Sequence, residues 1–150
     1  VERYIDGREL YVGVLGNQRL DVLPIWELLF TNLPEEARPI ATERVKWSVK
    51  YQEKCGIKSA EATDLSPETA AQIQHICKRV YRILQLSGYA RIDLRLDANG
   101  KIYVLEANPN PQLANDEDFA ESAQRIGIKY QNLLQRIINL GLRWRPEHAG

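Results

Sequence analysis

Apolar and polar positions alternate with a period of two at the start of the chain and again in its middle, and a helical period separates the two stretches. Val1-Glu2-Arg3-Tyr4-Ile5, then Asp6-Gly7, then Arg8 to Leu15 read as strand, tight turn and strand, because Asp-Gly tolerates the positive φ of hairpin turns. Gly16-Asn17 marks a second turn. A third strand runs from Arg19 to about Leu28. It carries Pro24, which has no N–H for a ladder and so predicts an edge position. From Thr31 to Thr63 the pattern is irregular, polar and rich in Lys, Glu and Arg, and reads as a long loop of the functional kind. The clearest helix follows, with Ser66 as cap, Pro67 at the first turn and Gly88 as its end. Ile73, Ile76, Cys77, Val80, Tyr81 and Leu84 fall on one stripe of it. Tyr89 to Leu96 and Lys101 to Ala107 form a hairpin across Asp97-Ala98-Asn99-Gly100. Two shorter helices close the chain, about Asp116 to Ile126 and Tyr130 to Leu140, with Gly127 and Gly141 as stops.

These elements predict an α+β fold, a mainly antiparallel sheet with flanking helices. One domain over residues 1–142 and a short tail over 143–150 account for the 150 residues, and no internal repeat divides them. Composition narrows the function classes. Lys plus Arg equals Asp plus Glu at 20 each, so there is no basic excess for a nucleic-acid binder. No apolar run reaches the roughly 18 to 20 residues of a membrane span, and no signal-peptide pattern opens the chain. Cys55 and Cys77 have neither metal spacing nor a disulfide framework, and Cys77 sits on the apolar helix face. A cytoplasmic protein is the expectation. The absence of methionine and the strand-like opening at Val1 predict a fragment that begins within a fold.

The central hairpin carries the chemistry. Ile92, Leu94 and Leu96 share one face of its first strand, and Arg91, Asp93 and Arg95 the other. In the second strand, Ile102, Val104, Glu106 and Asn108 are expected on one face, and Tyr103, Leu105 and Ala107 on the other. A loop of two or four residues would put Asp93 on the face of Glu106. Paired carboxylates repel unless a cation lies between them, and Asp, Glu and Asn oxygens are the hard ligands Mg²⁺ prefers. A solvated face of alternating charge is the other reading. The run Ile102 to Leu105, apolar enough to be buried, favours the metal site, as does its ending in acid, amide and the Pro109-Asn110-Pro111 segment.

Gly88-Tyr89-Ala90-Arg91-Ile92-Asp93 followed by Val104-Leu105-Glu106-Ala107-Asn108-Pro109-Asn110-Pro111 resembles the C-terminal signature of the ATP-grasp superfamily, most closely the D-alanine–D-alanine ligases and their relatives. The resemblance covers Val1 to about Leu140. It implies that residues 1–142 are the C-terminal ATP-grasp subdomain of a longer ATP-dependent ligase forming carbon–nitrogen bonds through an acyl phosphate. It implies that Asp93, Glu106 and Asn108 hold magnesium, two ions with Glu106 between them, with Mn²⁺ as a substitute. Arg91 would contact the reacting phosphate and the tetrahedral intermediate. Glu2 and the backbone around Arg3, Tyr4 and Ile5 would receive the adenine, and Glu9 the ribose hydroxyls. Lys46, within Ile40 to Trp47, would face the terminal phosphate, with Lys50 as a competing match. The implied partners are ATP, a small carboxylate, an amine and the preceding domains, without which the fragment alone would be inactive. No nucleic acid or membrane is implied, and a homodimer is compatible.

The sequence departs from the family at two places. Gln112 stands where true D-alanine ligases carry a glycine donating its N–H to the oxyanion. Asn115-Asp116-Glu117-Asp118 stands where they carry a Ser-Leu pair for the substrate carboxylate, and an acidic run repels such a group. Three rivals remain: an ATP-grasp member joining other building blocks, a nucleotide-binding regulatory protein without ligase turnover, and a structural α+β module.

Overall fold

A computed structural model describes residues 3–32 and 55–144. Within them, five strands form one antiparallel sheet in the order β3-β2-β1-β4-β5. The strands are β1 (Arg8–Leu15), β2 (Asp21–Phe30), β3 (Ile57–Glu61), β4 (Tyr89–Leu96) and β5 (Ile102–Asn108). Among the described residues three helices accompany them: α1 (Pro67–Ile83), α2 (Asp118–Arg125) and α3 (Tyr130–Leu142). The expected α+β class is the observed one.

The period of two on β1 and β4 sorts two cores onto opposite faces. Leu10, Val12 and Val14 join Ala90, Ile92, Leu94 and Leu96 beneath Ile73, Cys77 and Tyr81 of α1. On the other face Leu15 and Leu23 meet Phe119, Ala120 and Ala123 of α2 and Leu133 of α3. Gly13 makes that second layer fit, since a Cβ there would sit 2.7 Å from Leu23 and 3.0 Å from Phe119. A side chain at this position would lift α2 off the sheet.

Several boundaries differ from the sequence reading, each for a local reason. Arg3 to Asp6 lie in no regular strand, and Val1 and Glu2 lie outside the described residues. β2 is an inner strand, so Pro24 is not on an edge. The register shifts between Val12 and Val14, and Pro24 sits in that irregularity beyond the last β3 partner of β2, where no N–H is required. The long irregular segment contains β3, whose short polar run hides its strand character. The rest of that segment, 33–54, lies outside the described residues.

α1 starts as expected, with the Ser66 hydroxyl accepting from the Thr69 N–H at 3.1 Å, a cap of about 1 kcal/mol. It stops short of Gly88. Gln85 takes the left-handed conformation at φ 53°, and the Leu86 N–H returns to the Tyr81 carbonyl at 3.0 Å, closing the helix without glycine. Leu84, on the predicted stripe, is consequently exposed. Gly127 does end α2, whereas Gly141 lies inside α3.

Buried Cys77 and Tyr81 make the fold sensitive to alkali. Burial pushes the Cys77 thiol up from 9.0 to about 12 and the Tyr81 phenol up from 10.0 to about 12. Both groups bind their protons more tightly when folded. Their contribution is therefore complete below about pH 9 and lost as pH rises towards 12. The denaturant midpoint should stay level up to about pH 9 and then fall. Cys77→Ala combined with Tyr81→Phe should lessen that fall and leave the share due to buried Tyr11.

Candidate active site

β1 and β4 pair with Glu9 opposite Arg95, Tyr11 opposite Asp93 and Gly13 opposite Arg91. β4 in turn sets Arg95 opposite Tyr103, Asp93 opposite Glu106 and Arg91 opposite Asn108. Cross-strand partners share a face, so these residues form one polar patch on the side opposite α1. The predicted Arg91, Asp93, Glu106, Asn108 and Glu9 are thus brought onto one sheet surface.

The route to that register differs from the loop arithmetic. The Asp97 N–H donates to the Lys101 carbonyl at 3.0 Å and Leu96 pairs with Ile102, leaving an odd three-residue tip. Continued regularly, this register would place apolar Leu105 opposite Asp93. A bulge between the Leu94–Val104 and Asp93–Glu106 pairs absorbs Leu105 and delivers the acid. The bulge also changes the expected faces of β5. Tyr103, not Ile102 and Val104, shares a side with Glu106 and Asn108. β5 is moreover an edge strand with Val104 44% and Leu105 49% exposed, so the predicted burial of this run does not hold.

The patch neutralises itself. Arg91 clasps Asp93 through two bonds, Nε to Oδ1 at 2.7 Å and Nη2 to Oδ2 at 2.9 Å. Two residues apart on one strand, they project from the same side. Asp93 is only 6% exposed. Burial tends to lower the Arg91 guanidinium's affinity for its proton, but hydrogen bonding and attraction from Asp93 outweigh it and hold the pKa above its ordinary value. The Arg91 guanidinium carbon lies 4.7 Å from the centre of the Tyr11 ring. The Tyr11 hydroxyl donates to Glu9 Oε1 at 2.9 Å, and Arg95 Nη2 donates to Glu9 Oε2 at 2.7 Å. Burial, followed by the Glu9 carboxylate, drives the Tyr11 pKa far upward, so this phenol remains a donor. Half-buried Asp118, at the start of α2, has a raised pKa because burial outweighs its hydrogen bond to Ser59 and its attraction to Arg91.

Among the described residues, no three His, Cys, Asp or Glu side chains converge on one point. The predicted metal set is two carboxylates and an amide, all oxygen donors, on two adjacent strands in register, and this set fits a hard divalent cation. Two of its three members have protein donors in this structure. Asp93 is held by Arg91, and Asn108 Oδ1 accepts from the Asn110 N–H at 2.9 Å. Glu106 is exposed.

The predicted nucleotide residues divide. Glu2 and Lys46, with its competitor Lys50, lie outside the described residues. Arg3 is exposed, while Tyr4 and Ile5 are half-buried just before β1. The Ile5 carbonyl accepts from Arg95 at 3.3 Å. Arg95 and Tyr11 were not among the predicted site residues. Their signal lies in the β1–β4 register, which brings Glu9 to Arg95 across 86 positions of sequence.

Residues 1–139 match the family model described as D-ala D-ala ligase C-terminus. The chain belongs to that family. It is 34% identical over 143 residues to "Uncharacterized protein y4sG" of Sinorhizobium fredii, covering 95% of this chain and 40% of that protein. It is 31% identical over 148 residues to the D-alanine–D-alanine ligase of Desulfotalea psychrophila, covering 95% of this chain and 41% of the ligase. The solved D-alanine–D-alanine ligase of Bacillus anthracis complexed with ATP superposes with a TM-score of 0.72 at 25% identity, covering 95% of this chain and 40% of that one. This D-Ala–D-Ala ligase C-terminal chain therefore spans about two fifths of the length of the curated relatives it matches.

Tyr11→Phe would keep the ring beneath Arg91 and remove only the hydroxyl that serves Glu9. It should cost about 2 kcal/mol, the usual worth of a hydrogen bond to a charged group, in equilibrium urea unfolding.

Proposed function

We propose that this chain is the metal- and nucleotide-binding C-terminal part of a cytoplasmic ATP-dependent ligase that joins a small carboxylic acid to an amine. The observation that carries this reading is the register that sets Asp93 against Glu106 and Arg91 against Asn108 in a member of this ligase family. The solved relative complexed with ATP supports ATP as the nucleotide.

In this reading Asp93, Glu106 and Asn108 would hold magnesium, two ions in all, with Mn²⁺ as a substitute. Bound there, the metal would neutralise phosphate charge and favour attack on the terminal phosphorus. The substrate carboxylate attacks that phosphorus to give an acyl phosphate and ADP. The amine then adds to the acyl carbon, and collapse of the tetrahedral intermediate expels phosphate. Arg91 sits on the metal-bearing strand with its guanidinium aligned by Asp93 and Tyr11, suited to stabilise the developing oxyanion. The base and ribose fall to Glu2, the segment Arg3 to Ile5 and Glu9. Lys46, or Lys50 in its place, would face the terminal phosphate. Catalysis is mainly positioning and electrostatics.

The acidic run Asp116 to Asp118 leads into α2, with Glu117 and Asp118 within electrostatic reach of Arg91. It suits an amine better than a second carboxylate, so D-alanine is not assigned as the acceptor.

In the intact protein, phosphate release would be followed across a panel of acids and amines. Asp93→Asn or Glu106→Gln should lower turnover by at least about 100-fold, beyond the usual loss of an outer-sphere partner. Arg91→Ala should lower it by about 100- to 1,000-fold, as for loss of an oxyanion donor. Near-normal turnover in Asp93→Asn would remove the metal assignment, and ATP binding with no ADP formed from any pair would remove the ligase.

A further inference from the structure

Arg95 is 3% exposed and Glu9 6%, and they stand directly opposite each other on β4 and β1. An ion pair buried to this degree has little advantage in stability over apolar side chains of the same volume, so its presence calls for another account. The remaining contacts of Arg95 supply one. Its Nη1 donates to two backbone carbonyls of the segment leading into β1, Gly7 at 3.0 Å and Ile5 at 3.3 Å. Its guanidinium carbon lies 5.6 Å from the Tyr4 ring centre. Tyr11 holds the other oxygen of Glu9, so both carboxylate oxygens are fixed in direction.

The neighbouring residue of β4 tightens the same segment from a second side. Gly7 has φ +146°, and a Cβ there would lie 2.2 Å from the Leu96 carbonyl oxygen. The chain can pass so close to β4 only as glycine. Arg95 and Leu96 together thus set where Ile5 to Gly7 run and how Glu9 points.

We infer that Arg95 is a positioning residue for the base-and-ribose end of the nucleotide, joining the Ile5–Gly7 backbone and the Glu9 carboxylate into one rigid frame. This rests on the reading of those groups as adenine- and ribose-binding. The guanidinium is the side chain suited to the task, since its planar fork directs several donors at once. A lysine ammonium keeps the charge but cannot serve two carbonyls and a carboxylate in this fixed geometry. Arg95 bonds to Glu9, Gly7 and Ile5, the groups read as nucleoside-binding. Its loss should weaken recognition of the nucleoside and leave recognition of the phosphates alone.

The test uses the intact protein with Mg²⁺ and three probes in calorimetry: ATP, 2′-deoxy-ATP and inorganic tripolyphosphate. The wild type should prefer ATP to the 2′-deoxy compound by about tenfold, the worth of a hydroxyl donating to a carboxylate. Arg95→Met should lower ATP affinity by about tenfold and compress that preference to about twofold, with tripolyphosphate affinity unchanged. Arg95→Lys keeps a buried cation beside Glu9 and should fall between, and it decides the matter if Arg95→Met does not fold. A wild-type preference retained in the Arg95 variants overturns the inference, as does a parallel loss of tripolyphosphate. A wild type that binds ATP without preferring the ribose hydroxyl removes the Glu9 assignment and the inference with it. The ligase reading would survive that result, because phosphate release tests it separately.

Discussion

A sheet face that buries carboxylates must supply their countercharges from within the sheet. Glu9, Asp93 and Arg95 are buried, Arg91 is largely so, and each isolated charge would cost several kcal/mol to remove from water. The solution is a run of alternating sign across β1 and β4: Arg95 on Glu9, Glu9 on Tyr11, Tyr11 beneath Arg91, Arg91 on Asp93. This requirement pins the register. A slip of one residue would set Glu9 against Leu94 or Leu96 and leave its charge without a partner in the apolar core. Breaking one buried pair by truncation commonly costs about 3 to 5 kcal/mol, so the correct pairing is strongly selected over its neighbours.

The apolar layers are arranged around that face. α1 seals the opposite side, so the sheet has one dry surface against which the polar one is braced. α2 and α3 pack at the Leu15 and Tyr89 end of the polar face, beside the Asn110 turn that follows β5. Gly13 lets Phe119 settle on the sheet, and this brings the N-terminus of α2, with Asp118, within the field of Arg91. Local choices in chain volume thereby decide which charges share one electrostatic neighbourhood.

Arg91 and Asp93 satisfy each other in this structure, and the same oxygens are the natural ligands of a divalent cation. A two-bond clasp between an arginine and an acid fixes the direction of both groups. The edge position of β5 leaves Glu106 reachable from solvent, while Asp93 stays anchored on an inner strand.

Period and turn chemistry alone determined the two central strands, the main helix and its Ser66 cap, and the α+β class. The alternation of Arg91, Asp93 and Arg95 with Ile92, Leu94 and Leu96 was legible too, because side-chain period is a local property of a strand. Glu106 and Asn108 entered as candidates by residue type and by the family signature. Tertiary structure decided the rest. The bulge at Leu105 turns an odd loop into the register that sets Asp93 against Glu106, and no pattern in that strand announces it. The inner place of β2 and the exposed place of β5 follow from which strands add to the sheet, and local alternation carries no record of that order. Arg95 looked like one more charged residue on an alternating strand. Only the pairing of β1 with β4 brings it to Glu9, Ile5 and Gly7, because contacts distant in sequence are settled when separate segments bury a common face.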